Sequence, residues 1–269
     1  MSFMYNPFPF DDPKPVNRPE LSEKTVSSVV SGGTPNVAKK FAAGIIEKAH
    51  GKNQVVAFDG YTTVDWTVFL NLLARECTAA GIEFESVDAN AECFKSGKEI
   101  DGMIDPLLIW DKKIDPTLLY GKIYKGGYEG MLDEERTQAF EKKVAELGKG
   151  SGKVVAVFGY GVLIPRFRTL YDTKCFFDVT PKTSILRIRR GEYANIGKKR
   201  PDMINRVIRR CYYCDFEMAV CSRRELLRNN IPDFWFLSDD PQNIQMLPYE
   251  AFADICAQLV KYPFRAKPC

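Results

Sequence analysis

The chain has 269 residues, of which 45% are apolar and 27% charged, with a formal net charge of +3. That is material for one large core or two small ones, and too little charge to argue for a nucleic-acid partner. No apolar run approaches the ~18 residues of a membrane-spanning helix, and Asp11-Asp12 among prolines stands where a secretory signal would need an apolar core.

Residues 1–35 are rich in proline and then in serine and glycine, the composition of an arm that packs on something rather than of a sheet strand. Phe41, Ile45 and Ala49 are spaced for one face of a helix over 37–50. QVVAF then predicts a first strand, Thr67 to Ala80 a helix, and EFESV a second strand. LDEERTQAFEKKVAELGKG predicts an amphipathic helix, with acids early and lysines late as the helix dipole prefers. KVVAVFG is continuously apolar, as in a strand buried on both faces. KCFFDV predicts another strand, followed by a helix over 181–190, a long helix over 202–229, a last strand DFWFL and a helix EAFADICAQLV. This regular alternation predicts an α/β fold of three layers, with a doubly wound, mostly parallel sheet.

The eight cysteines are scattered without the density of a disulfide scaffold and read as reduced thiols in a cytoplasmic protein. Cys211, Cys214 and Cys221 are spaced for one buried helical face. With a single histidine, His50, and no second CxxC pair, no structural zinc is expected.

The residues that could carry chemistry begin at the end of the first strand. VVAFDGYTTVDWTVFLNLL (55–73) reads strand, glycine turn, helix, the layout of a phosphate-binding loop. The pattern G-x-x-x-x-G-K-[ST] is broken here. Gly60 opens the loop and Thr67 closes it, while Asp65 and Trp66 stand in place of the second glycine and the lysine.

Further along, GYGVLIPRFRTLYDTKCFFDVTPKTSILRIRRGEY (159–193) resembles uridine kinases and the related phosphoribulokinase-like P-loop kinases. The resemblance covers residues 53–240 and rests on the order and spacing of its parts. It implies a P-loop kinase-like fold, ATP and Mg²⁺ as cofactors, and a phosphorylated sugar or nucleoside as partner. Asp88 at the end of the second strand would be the catalytic base. Asp59, Gly60, Thr62, Thr63, Asp65, Trp66 and Thr67 would form the nucleotide loop, with the Thr67 hydroxyl as metal ligand. Arg187, Arg190, Lys198, Lys199 and Arg200 would form the lid, and Asp105, Asp111 or Asp115 would touch the sugar. Two departures point to a lapsed kinase: Trp66 in place of the lysine, and Tyr160 where the family places an acid near the metal. Asp59 also has a plain structural reading, as the brace of a turn.

The tail YPFRAKPC (262–269) resembles the lead-in to the cupin barrel of class I mannose-6-phosphate isomerases. It implies a linker over 261–269 to a further isomerase domain, with the kinase-like domain over 36–260. Three functions remain open on the sequence: a degenerate kinase-like domain that binds a nucleotide or phosphorylated ligand weakly or acts as a scaffold, an active phosphotransferase whose cation comes from the lid, and a pure interaction module, with a homo-oligomer among its partners.

Overall fold

The computed structural model describes residues 20–117 and 119–261. Helix α1 (Glu23–Ser28) is capped by the Ser22 hydroxyl, and α2 (Thr34–Ala49) carries Pro35 in its first turn, where a missing N–H costs nothing. Strand β1 (Gln54–Gly60), helix α3 (Thr67–Ala79) and strand β2 (Glu83–Asp88) come after them. Two short helices are next, α4 (Ala89–Cys93) and α5 (Gly97–Ile104), and then α6 (Glu134–Leu147). Strands β3 (Lys153–Phe158) and β4 (Thr173–Asp178) lead to α7 (Pro181–Arg189). Helix α8 (Ile204–Arg210) passes through a π-helical turn, Cys211–Asp215, straight into α9 (Phe216–Arg228). Strands β5 (Phe234–Leu237) and β6 (Gln245–Pro248) precede α10 (Tyr249–Lys261).

The six strands form one sheet in the order β2-β3-β1-β4-β5-β6. The first five run parallel, each reached by a crossover, while β6 returns beside β5 through a short loop and is therefore antiparallel. Strand β1 lies centrally and is buried along its whole length. Phe58, Phe177 and Phe236 on one sheet face pack against Phe41 of α2 and Phe69 of α3. Phe176 and Trp235 face the other way, where Trp235 stacks on Phe252 of α10 at 4.4 Å. Helices thus cover both faces, giving the three-layer, mostly parallel α/β architecture expected from the alternation of elements.

Some details differ from the sequence reading. DFWFL is not the last strand, because β6 pairs with β5 at the sheet edge and Val30 bridges to Met246. Within the arm, α1 packs on α10, with the Thr25 hydroxyl donating to Asp254 at 2.7 Å. Cys211 and Cys214 are buried but Cys221 is exposed. The π turn inserts a residue into the helical repeat and rotates Cys221 of α9 away from the buried face. Residues 1–19, most of the expected arm, and 262–269, the isomerase-like tail, lie outside the described residues.

Candidate functional site

Strand β1 delivers Asp59 and Gly60 to the carboxyl end of the sheet, at the point where neighbouring strands diverge to β3 on one side and β4 on the other. Such a crevice is where open α/β sheets hold ligands. A Cβ on Gly60 would lie 2.6 Å from Val64 Cγ1 and 3.0 Å from Trp66 Cζ2, so only glycine lets the chain turn this tightly.

Asp59 does not reach the crevice. Its carboxylate is fully buried beneath the loop. Oδ1 accepts from the N–H groups of Gly60 (2.7 Å) and Gly161 (3.0 Å), and Oδ2 accepts from that of Leu163 (2.9 Å). Burial pushes its pKa up to about 6, although these three N–H groups and the Arg168 charge pull the other way. The brace reading of Asp59 describes this geometry, which ties β1 to the turn after β3.

The loop from Gly60 to Thr67 spends five of its eight N–H groups on the protein itself, those of Gly60, Tyr61, Thr63, Val64 and Thr67, and leaves those of Thr62, Asp65 and Trp66 without a protein acceptor among the described residues. The Tyr61 N–H donates to the Phe177 carbonyl (2.9 Å), the Thr63 N–H to the Tyr160 hydroxyl (3.2 Å) and the Val64 N–H to the Tyr61 carbonyl (3.1 Å). The Thr62 hydroxyl donates to the Asp215 carbonyl, and the Thr63 hydroxyl meets Ser184 Oγ at 3.2 Å. Thr63 holds φ at +74°, a region that a β-branched residue rarely enters. At the start of α3 the Asp65 carboxylate accepts from the Thr67 N–H at 2.8 Å. A side-chain anion thus already sits where a helix N-terminus would hold a phosphate. The Trp66 ring packs at 5.2 Å from Tyr160 and 5.8 Å from Phe158, and is almost entirely buried.

Arg187 is brought to the loop, but its guanidinium is turned inward. It donates to the carbonyls of Thr63 (2.7 Å), Ser238 (3.2 Å) and Asp239 (2.9 Å), and is buried. Arg190 pairs with Glu192 at 3.0 Å. Over the loop lies a cavity of about 820 Å³ with Asp65, Glu192, Asp239 and Asp240 against only Arg187 and Arg190 in its lining. The cavity is therefore acidic.

The other expected site residues lie elsewhere. Asp88 is the N-cap of α4, exposed, accepting from the Ala91 N–H at 3.0 Å, and it does not line the cavity. Lys198 pairs with Asp101, while Lys199 and Arg200 are exposed and outside the lining. Lys198, Lys199 and Arg200 are therefore not folded over the loop. Asp115 is fully buried and holds its own loop together, Asp111 caps a turn at the Lys113 N–H, and Asp105 begins a 3₁₀ turn. Among the described residues no three His, Cys, Asp or Glu side chains converge as a metal-ligand set. No described helix is long and apolar enough to cross a membrane.

Asp215 was not singled out from the sequence. It sits on the π turn, fully buried, with Oδ2 accepting from the Tyr193 hydroxyl (2.9 Å) and Asn195 (2.7 Å) while Oδ1 has no partner. Burial pushes its carboxyl up, against the pull of Asn195, Arg210 and Tyr193. The only signal in the sequence was an acid in the middle of an otherwise apolar helical face.

Residues 34–261 match the model of a family described as a domain of unknown function (DUF8485). Among proteins of curated function, none matches. Among solved structures, the chain is similar to a candidate fructose transport system kinase from Silicibacter sp. TM1040, with 16% identity, 70% of this chain and 94% of that one covered, and a TM-score of 0.46. It is also similar to a possible uridine kinase from Bacillus stearothermophilus, with 11% identity, 73% and 96% covered, and a TM-score of 0.44. A third is shikimate kinase from Bacteroides thetaiotaomicron, with 14% identity, 65% and 98% covered, and a TM-score of 0.30. These likenesses are distant.

Proposed function

The chain belongs to the DUF8485 family, a domain of unknown function, and we propose that it is a kinase-like α/β domain whose phosphate loop is closed on itself and which acts by binding rather than by phosphoryl transfer. The kinase-like part of this reading is supported by a glycine loop that leaves a central parallel strand at the topological switch point and enters a helix. The non-catalytic part is carried by one observation: the Asp65 carboxylate and the Trp66 ring occupy the place of the phosphate and its lysine.

Phosphoryl transfer is mostly positioning and charge stabilisation, so it needs free N–H donors and a cation aimed at the phosphates. Here the Thr63, Val64 and Thr67 N–H groups already have protein acceptors, those of Thr62, Asp65 and Trp66 are left beside the Asp65 carboxylate, and Arg187 is spent on three carbonyls. A phosphate oxygen brought 4 Å from Asp65 would be repelled by about 4 kcal/mol at an effective dielectric of 20. Mg²⁺ would find only Asp65 and Thr67, and one oxygen of that aspartate already accepts from the Thr67 N–H. The residues present do not fit a magnesium nucleotide.

Calorimetric titration with ATP, with and without Mg²⁺, tests this reading. No binding is expected up to millimolar nucleotide. Micromolar, magnesium-dependent binding, with turnover lost in Asp88→Ala, would overturn it.

A further inference from the structure

Between α5 and the turn before α6 the chain makes an excursion that is built inside out. Leu108 and Gly121 close it as an antiparallel bridge, and the Lys122 N–H donates to the Leu107 carbonyl at 2.7 Å. Inside, the buried Asp115 accepts from the Tyr120 N–H (2.7 Å) and the Thr117 hydroxyl (3.2 Å). Arg209 of α8 approaches Asp115 at 3.5 Å, donates to the carbonyls of Ile109 and Tyr120, and stacks on Trp110 at 4.7 Å. Asp115 and its partner Arg209 are thus turned inward, while Ile114, Leu119 and Tyr120 are each more than 60% exposed. Burying an aspartate and an arginine to display aliphatic side chains does not help the fold by itself.

Helix α8 and its surroundings face this loop with the same character. Among the described residues, eight of the twelve exposed large apolar side chains lie in segments 109–123 and 203–212. A concentration of this kind marks an interaction site rather than ordinary surface scatter. Between the two segments lies a cavity of about 610 Å³, with Trp110, Leu119, Ile123 and Tyr212 in its walls. Two guanidinium groups, Arg206 and Arg209, line it and no carboxylate does. Arg209 is only 5% exposed, and its Nε and Nη1 have no partner. Arg206 lies half exposed over Trp110 at 5.4 Å, its pairing with Asp202 no closer than 3.5 Å. Segments 109–125 and 202–213 carry seven Lys and Arg against three Asp, a net +4 where the whole chain is +3.

We propose that this face binds a short peptide segment of a partner protein, in which an aromatic or large aliphatic side chain lies within a few residues of a carboxylate. The apolar side chain would enter the cavity, and the carboxylate would pair with the half-exposed Arg206, in the field of the buried Arg209 charge behind it. A second copy of this chain is disfavoured because a two-fold contact through this face would set like charges against each other. Single-stranded nucleic acid is the weaker fit because the exposed Tyr120 and Tyr212, which could stack on bases, are outnumbered by the aliphatic Ile114, Leu119, Ile123, Met203 and Ile204, which could not. No residue lining this cavity lines the one over the Asp65–Thr67 loop. The proposal therefore stands apart from the closed-loop reading, and nucleotide titration leaves it untouched.

A displayed library of random peptides selected on the full chain tests it, with the enriched sequences resynthesised and measured by fluorescence polarisation. Enriched peptides are expected to pair an acid with Phe, Trp or Leu. Their affinity should fall by about tenfold or more in Arg206→Glu and in Leu119→Asp, and should weaken with salt. Both substitutions are at exposed positions, so circular dichroism and an unchanged melting temperature should verify the fold. No enrichment, or enriched peptides that lack an acid or ignore both substitutions, would overturn the proposal. So would a dimer in sedimentation that Leu119→Asp dissociates, or binding of oligouridylate lost in the same two variants.

Discussion

The buried Asp59 makes a quantitative prediction about stability against pH. Its carboxyl rises from an ordinary 3.8 to about 6 in the folded chain, with burial as the main cause. A carboxyl raised by folding favours the folded state when protonated. The contribution is full below the unfolded value, is lost as pH rises through about 6, and is absent above that. A shift of about two units at 1.36 kcal/mol each amounts to about 3 kcal/mol. In Asp59→Asn the side chain cannot titrate. Its amide also turns a donor toward either Gly60 and Gly161 or Leu163, a roughly constant cost of about 1–3 kcal/mol. The assay is urea unfolding of wild type and Asp59→Asn at intervals from pH 4 to pH 7, with the m-value checked for constancy. The difference between the two proteins isolates this residue from every other titrating group. Because part of the contribution is already lost at pH 4, wild type is expected to lose about 2 kcal/mol relative to the variant across that range. Parallel curves would refute the assignment of a raised carboxyl.

Other substitutions separate structural from chemical roles at the loop. Trp66→Ala removes the ring packed on Phe158 and Tyr160 and should cost about 3–5 kcal/mol in urea unfolding, without creating nucleotide binding. Arg187→Met, which keeps the apolar stem, should lower stability by about 3 kcal/mol through three lost carbonyl partners; unaltered stability would show that the guanidinium is not a clamp. Asp88→Ala should cost only about 1 kcal/mol, the value of a helix N-cap, in the same unfolding measurement. Gly161→Ala meets both a φ of +76° and a Cβ 2.6 Å from Tyr128, so a loss of at least about 2 kcal/mol is expected, and a neutral melting temperature would contradict that packing.

The central strands were legible because β1 and β3 are buried on both faces and so read as continuous apolar runs. Strand β6 was not, because four residues ending in proline carry no period of their own. It exists only through its pairing with β5 and Val30. The π turn escaped for a related reason: one inserted residue leaves the apolar pattern looking helical, yet it rotates Cys221 to the surface and places Asp215 inside.

At the site the sequence by itself showed the strand–glycine–helix unit, with Asp65 and Trp66 standing where the pattern G-x-x-x-x-G-K-[ST] has glycine and lysine. Gly60, Asp65, Trp66 and Thr67 belong to one local strand–turn–helix unit, so their order is their geometry. What those residues do was decided only by tertiary structure. The acceptors that close the loop, Tyr160 and Phe177, lie about a hundred residues away, as does Ser184, and Arg187 joins the Thr63 carbonyl to those of Ser238 and Asp239 from a different part of the chain. The same holds for the basic run 187–200, whose charge was plain but whose partners, Asp101 and the Thr63 carbonyl, were not. Charge and period are local properties that a chain carries with it, whereas the partner that satisfies a buried donor is chosen by packing.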